Sequence, residues 1–235
     1  MSNVLALSIP FFALIFLGMF ARAIGFIRED GALNLSKFAF FVALPPMMFM
    51  NVAAGTPEDI LNWGFFWRYE LATITLFIVT ALLARSAFRL TRLESGIFGL
   101  NAAYPNYGYM GVPLAIMAFG DAAAMPLALM LFADTVILLM LTAVFVVGRA
   151  GGLVTALRRT VLTLIKNPLL ISVVAGLAFA ASGLTLSGPI DTIITMLAGA
   201  AAPVALFALG ATVYGQPLAK AVPEIASISA ARLLL

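Results

Sequence analysis

The chain has 235 residues, 63% hydrophobic and only 10% charged, with a net charge of +3. A soluble domain carries about 25% charged residues, so there is too little charge here to cover a water-facing surface. Histidine and cysteine are both absent, which removes disulfides, zinc clusters, cysteine nucleophiles and histidine bases, and the small net charge argues against nucleic acid as a partner.

The apolar runs are continuous, not alternating, so they predict a polytopic bundle of helices and not a barrel. The first span is expected over Asn3–Ala21; it lacks a basic start and a cleavage site and reads as a spanning helix, not a signal peptide. The second, Leu33–Ala53, holds Pro45 and Pro46, with Asn34 before it as a cap. The third starts near Trp63 and ends before Arg85. The fourth is Ser95–Phe119 and the fifth Ala124–Val147. Leu153–Ile165 carries Arg158 and Arg159 and reads as an amphipathic helix along the interface. The sixth span, Pro168–Ala181, is short; the seventh is Ile190–Val213, with Pro203 inside it; another apolar stretch follows Glu224.

The basic residues orient these spans. Arg22, Arg28 and Lys37 flank the first connection, Arg85, Arg89 and Arg92 the third, and Arg149, Arg158, Arg159 and Lys166 the fifth, while Lys220 lies in the seventh. The second, fourth and sixth connections hold Glu58, Asp59, Asp121 and Asp191 without lysine or arginine. The odd connections are therefore expected in the cytoplasm and the N-terminus outside.

At an offset of 158 residues, Pro10 pairs with Pro168, Gly18 with Gly176, Gly25 with Gly183 and Pro45 with Pro203. Proline and glycine mark backbone geometry, so an ordered set of them is informative. Five spans separate the two copies, and an odd number predicts an inverted repeat. The expected division is a first five-helix repeat over residues 1–152 and an incomplete second repeat over 153–235, truncated in the eighth span. The counterpart of the fourth span would then be missing.

The fourth span is unlike the others. Residues 101–113 hold two asparagines, three tyrosines, two prolines and two glycines. A proline removes one helical hydrogen bond and clashes with the carbonyl four residues back. Glycines permit close approach of another helix. Backbone groups freed in this way must be met by protein or by a wet cavity. The expected structure is a discontinuous helix, and half-helix ends of that kind bind ions and substrate groups. Asparagine offers both a donor and an acceptor there without a charge that would repel an anion.

These features together resemble the auxin efflux carrier family, including its bacterial malonate and malate transporter-like members. The segments that carry the resemblance are NAAYPNYGYMGVPLAIMAFG in the fourth span, LSKFAFFVALPPMMF in the second and GAAAPVALFALG in the seventh. The resemblance implies an all-α polytopic membrane protein with an inverted five-plus-five helix repeat and a broken crossover helix, similar to the bile acid sodium symporter fold. It implies that Asn101, Pro105, Asn106, Tyr107, Gly108, Gly111 and Pro113 form the crossover motif and bind substrate, with Pro105 and Pro113 both candidates for the crossing. It also implies residence in a cell membrane, that of a bacterial inner membrane.

Other polar residues carry two readings each. Asp134, midway along the fifth span, is a candidate for ion or proton coupling, or else a packing group bonded to a neighbouring helix. Arg68 and Glu70 are two apart, cannot share a helix face, and read as interface anchors. Asn51 reads as a helix terminus, and Trp63, Trp67 and Tyr69 as an outer aromatic belt. Pro45, Pro46 and Pro203 are helix kinks, structural or cavity-shaping. The methionines, among them Met47, Met48 and Met50, read as gap-filling core. Residues 148–152 read as a hinge between the repeats.

The expected function is secondary transport of a small organic anion, a carboxylate, coupled to an ion or a proton. No Walker sequence is present, and no enzyme activity, cofactor or metal is expected. The expected partners are the anion and the lipid bilayer, with a homodimer left open. The alternatives are a channel or membrane sensor on the same fold and a non-transporting assembly subunit.

Overall fold

The computed structural model describes residues 2–55, 63–120, 123–146, 152–216 and 222–234. Every regular element among them is a helix. In chain order these are α1 (Ser2–Ala23), α2 (Glu29–Phe38), a π-helical turn (Ala39–Ala43), α3 (Leu44–Ala53), α4 (Trp63–Ala87), α5 (Arg92–Ala103), a second π-helical turn (Tyr107–Gly111), α6 (Val112–Phe119), α7 (Ala124–Val146), α8 (Leu153–Ile165), α9 (Pro168–Ser182), α10 (Gly188–Val213) and α11 (Val222–Leu234). The expected positions of Glu58, Asp59, Asp121, Arg149 and Lys220 lie outside the described residues.

Four described stretches are long and apolar enough to cross a membrane: Glu29–Ala53, Gly64–Ala87, Met125–Phe145 and Gly188–Val213. Large apolar side chains are also exposed along several of the helices. Ile9, Phe16 and Phe20 of α1, Leu71 of α4, and Ile190, Ile193 and Met196 of α10 are all more than half exposed. A water-soluble monomer does not leave so much apolar area uncovered, whereas lipid tails are its natural solvent. The protein is a multi-pass helical membrane protein.

Asn34 does not cap the second span. It lies inside α2, which begins five residues earlier, after Arg28, with Glu29 and Asp30 in its first turn. Acidic residues there oppose the positive end of the helix dipole, and that start signal outweighs a side-chain cap. Arg22 reaches back to Glu29 at 3.4 Å across the connection. At Pro45 and Pro46 the chain stays helical because the wide turn Ala39–Ala43 precedes them and they occupy the first turn of α3, where a missing N–H costs little. Pro203 lies within α10, which is helical on both sides of it.

The chain folds into two compact units. The first comprises Met1–Leu61, Asn106–Leu129 and Pro168–Gln216; the second comprises Asn62–Pro105, Met130–Asn167 and Pro217–Leu235. Each unit draws on both sides of residue 152, so compactness and the proposed repeat divide the chain differently.

In the first unit, α1 packs on α10 and α3 on α9. Both contacts run through glycine, because a side chain would not fit. A Cβ on Gly18 would fall on the Phe207 carbonyl, and a Cβ on Gly176 would come within 2.9 Å of the Phe49 carbonyl. Gly18 and Gly176 are 158 residues apart, and so are Phe49 and Phe207. The two contacts are thus the same contact made twice with the partners exchanged. A Cβ on Gly210 would likewise meet the Ile15 carbonyl. The residues at the same offset, Val52 and Val173, are both fully buried. Gly25 and Gly183 follow α1 and α9 with φ of +75° and +67°. That is the left-handed conformation in which glycine ends a helix.

In the second unit, α4, α5 and α7 enclose a core of Phe77, Ala81, Ala103 and Leu138. Phe77 meets Phe145 edge to face at 5.6 Å. Gly99 of α5 is required here too, since a Cβ would stand 2.9 Å from the Phe77 carbonyl. Helix α5 starts with a capping box, in which Thr91 and Glu94 satisfy each other's backbone amides. The hydrogen bonds from the Thr91 side chain and backbone hold the exposed Glu94 carboxyl below the usual carboxylate range. Buried hydroxyls are met inside their own helices: Thr80 donates to the Leu76 carbonyl at 2.6 Å and Thr142 to the Leu138 carbonyl at 2.7 Å.

Candidate functional site

The fourth span is interrupted, and the interruption follows from its sequence. Helix α5 ends at Ala103, and Tyr104, Pro105 and Asn106 are not helical. Tyr104 is extended, with φ −79° and ψ 112°, as steric pressure from a following proline requires. Its N–H still donates to the Leu100 carbonyl at 2.8 Å. Pro105 has no N–H, so the Asn101 carbonyl loses its helical donor. The break frees the next carbonyl as well, and there the structure supplies a substitute: Arg232 of α11 donates Nε–H to the Ala102 carbonyl at 2.6 Å. A guanidinium at the negative end of a helix is electrostatically favourable.

The chain then restarts as a wide turn. The Asn106 carbonyl accepts from Met110 at 3.3 Å and from Gly111 at 2.8 Å. A Cβ on Gly111 would press on the Asn106 carbonyl at 3.3 Å, so the turn favours glycine at that position. Gly108 lies within this turn, and Pro113 is the second residue of α6. Of the two prolines, Pro105 is the one at the non-helical break. Asn101 and Asn106 are exposed on either side of it, while Tyr107 is buried. Asn101 belongs to the second unit and Asn106 to the first, as do Pro45, Pro46 and Pro203.

Within the second unit, polar side chains gather near the end of α5. The Tyr104 hydroxyl lies 2.7 Å from the Thr135 hydroxyl. Next to Thr135 is Asp134, fully buried, whose Oδ2 accepts from the Tyr69 hydroxyl at 2.9 Å. Glu70, the neighbour of Tyr69 in α4, is also fully buried. Two expectations are corrected here. Glu70 is not an interface anchor, because helical rotation turns it inward while Arg68 stays exposed. Tyr69 is tied to a buried carboxylate, which is not the environment of an aromatic-belt residue.

Asp134, singled out in the sequence, is a buried member of this cluster; the inward placement of Glu70 and the contact made by Arg232 were not foreseen. A signal for Glu70 existed. Thr73, Phe77, Thr80, Ala81 and Ala84 are buried on α4 at helical spacing, and Glu70 continues that stripe. No comparable local signal marks Arg232, whose partner lies 130 residues away.

The profile of a family described as "Membrane transport protein" matches residues 4–154 and 152–235. A protein of Rhizobium meliloti (strain 1021) named "Putative malonate transporter" is 31% identical over 242 residues. That match covers the whole of this chain and 74% of the relative.

Proposed function

The chain belongs to the membrane transport protein family, that of the auxin efflux carriers, and on that premise we propose that it is a secondary active carrier of a small organic carboxylate, coupled to an ion or proton gradient. The observation that carries the reading is the interruption at Tyr104–Asn106. It exposes two asparagines and sets the Arg232 guanidinium against a freed carbonyl. With Nε given to Ala102, the remaining guanidinium N–H groups suit a carboxylate, whose two oxygens they match in pairs. Asn101 adds a polar side chain within the same second unit; further along the chain, in the first unit, Asn106 and Tyr107 are separate candidate substrate contacts, with Gly108, Gly111 and Pro113 shaping the backbone there. The named relative makes malonate, a dicarboxylate, the first substrate to try.

The test is uptake of labelled malonate into lipid vesicles that contain the purified chain. A carrier gives saturable uptake, accelerated when unlabelled malonate is trapped on the far side. Uptake that never saturates and shows no countertransport would identify a channel and overturn the reading.

The inverted repeat belongs to the same proposal. It is supported by the paired glycines and by the exchanged contacts of Gly18 with Phe207 and Gly176 with Phe49. It implies that residues 1–152 and 153–235 enter the bilayer, here a bacterial inner membrane, from opposite sides, with the N-terminus outside. The absence of native cysteine makes this measurable. In intact cells, Asp121→Cys is expected to react with a membrane-impermeant maleimide, and Arg89→Cys only after the membrane is opened. The reverse pattern would invert the topology.

A further inference from the structure

The first unit holds a cavity of about 340 Å³, and no residue of the interrupted segment is among those that line it. Three helix ends supply its walls. The last turn of α1 contributes Arg22, the start of α2 contributes Glu29 and Leu33, and the end of α10 with the residue after it contributes Thr212 and Tyr214. One membrane-crossing stretch begins at Glu29 and another ends at Val213. The cavity therefore lies at the boundary between lipid and water. Its volume falls in the range of small-molecule sites, about 300–1,000 Å³.

The two charges in the cavity are balanced and only weakly committed to each other. Arg22 Nη2 donates to Glu29 Oε2 at 3.4 Å, and Nη1 donates to the Ile27 carbonyl at 3.5 Å. Both contacts are long, and a guanidinium has five N–H groups to place. The Glu29 side chain is 91% exposed, so this is a surface ion pair that contributes little by itself. The neutral groups divide in the same way. The Tyr214 hydroxyl can donate and has no partner among the described residues. Thr212 Oγ1 donates its proton to the Ala208 carbonyl at 2.8 Å and is left as an acceptor. The last carbonyls of α10 form the negative end of that helix, which favours a cation. Donors for an anion thus stand beside acceptors for a cation.

An acid and a base side by side select against a ligand of one sign. A dicarboxylate or an anionic phospholipid would be attracted by Arg22 and repelled by Glu29. A ligand that carries both an anion and a primary ammonium satisfies both. The surroundings decide where such a ligand comes from. Leu33 in the wall, and Ile24 and Phe26 in the connection between α1 and α2, are each more than half exposed. Tyr214 joins a ring to a hydroxyl, as residues at the lipid–water boundary do. A water-soluble zwitterion would leave that apolar rim bare, whereas acyl chains would cover it. We propose that the cavity seats the phosphoethanolamine headgroup of a bilayer phospholipid, with its phosphate on Arg22 and Tyr214 and its ammonium on Glu29 and Thr212. The bound lipid links the start of α2 to the end of α10. This site does not depend on the reading of the chain as a carrier.

The test is native mass spectrometry of the purified full chain in detergent, titrated with phosphatidylethanolamine, phosphatidylglycerol and phosphatidylcholine of the same acyl chains. Phosphatidylglycerol has no ammonium, and the ammonium of phosphatidylcholine has no N–H to donate. Phosphatidylethanolamine is expected to bind about tenfold more tightly than either, the effect of one hydrogen bond to a charged group. Glu29→Gln is expected to erase the preference over phosphatidylglycerol, and Arg22→Gln to weaken all three lipids. Glu29→Gln changes an exposed side chain and decides the matter should Arg22→Gln fail to fold. Equal binding of phosphatidylethanolamine and phosphatidylglycerol by the wild type, or a preference that survives Glu29→Gln, would overturn the proposal. Glycerophosphoethanolamine, the same headgroup without acyl chains, is expected not to displace the lipid at equal concentration. If it does, the cavity belongs to a soluble zwitterion and the lipid assignment falls. Displacement of the lipid by malonate would also overturn it, by placing the cavity on the path of a free dicarboxylate.

Discussion

Gly210→Ala and Gly18→Ala are each expected to cost about 3 kcal/mol or more of stability, at the upper end of what overpacking does. The reason is the nature of the obstacle. In both cases the added methyl would land on a backbone carbonyl of the opposing helix, Ile15 for Gly210 and Phe207 for Gly18. A side chain can rotate away, but a helical carbonyl moves only if the helix moves. The usual gain of about 1 kcal/mol for alanine over glycine inside a helix is too small to offset this. Gly199 provides the control, since it lies in the same α10 and a Cβ there would meet nothing within 4 Å. Gly199→Ala is expected to leave thermal unfolding in detergent unchanged or to raise its midpoint slightly. Equal midpoints for all three variants would show that α1 and α10 do not pack as described.

The second large effect is expected in substrate binding. Asn106→Ala removes one polar partner from the interrupted segment and is expected to weaken malonate binding by about 1–3 kcal/mol, about fivefold to 150-fold in Kd. Asn106→Leu is expected to be worse, because it adds apolar bulk as well. Arg232→Gln is expected to lose about 1.5–3 kcal/mol, the range for a hydrogen bond to a charged group, and to leave the Ala102 carbonyl without its donor. Arg232→Lys keeps the charge but not the planar fork, so it is expected to recover only part of the loss. Calorimetry on the purified chain measures all four without relying on transport. Wild-type affinity in Asn106→Ala and Arg232→Gln together would remove the interrupted segment from the binding site.

How much of this was legible in advance depends on the range over which each feature is decided. The break in the fourth span is local, since a proline and its predecessor act within a few residues, and the sequence narrows it to Pro105 or Pro113; the structure puts the non-helical residues at Tyr104–Asn106. The helix spans are nearly as local, because their apolar length is counted along the chain. The start of α2 is local too, but Asn34 and the Glu29–Asp30 pair offered competing start signals, and the acidic pair prevailed. Glu70 shows a different limit. Counting charge near a span end suggests a snorkelling residue, whereas its helical phase with Phe77 and Ala81 places it in the core. Arg232 depends on tertiary structure entirely, since nothing near residue 232 indicates that it will meet the carbonyl of Ala102.

The exchanged glycine contacts of the first unit also bear on how the protein is made. Gly18 of α1 closes against Phe207 of α10, yet nearly the whole of the described chain is synthesised between them. At about 5–20 residues per second, α1 waits on the order of 10–40 s in the bilayer before its partner emerges from the ribosome. Throughout that interval its glycine face has only lipid, or an attendant insertion factor, to lie against. The helix therefore has to persist alone, and its exposed Ile9, Phe16 and Phe20 give it the lipid affinity to do so. Assembly of the first unit is thus a late event of biogenesis, complete only once α10 has been inserted.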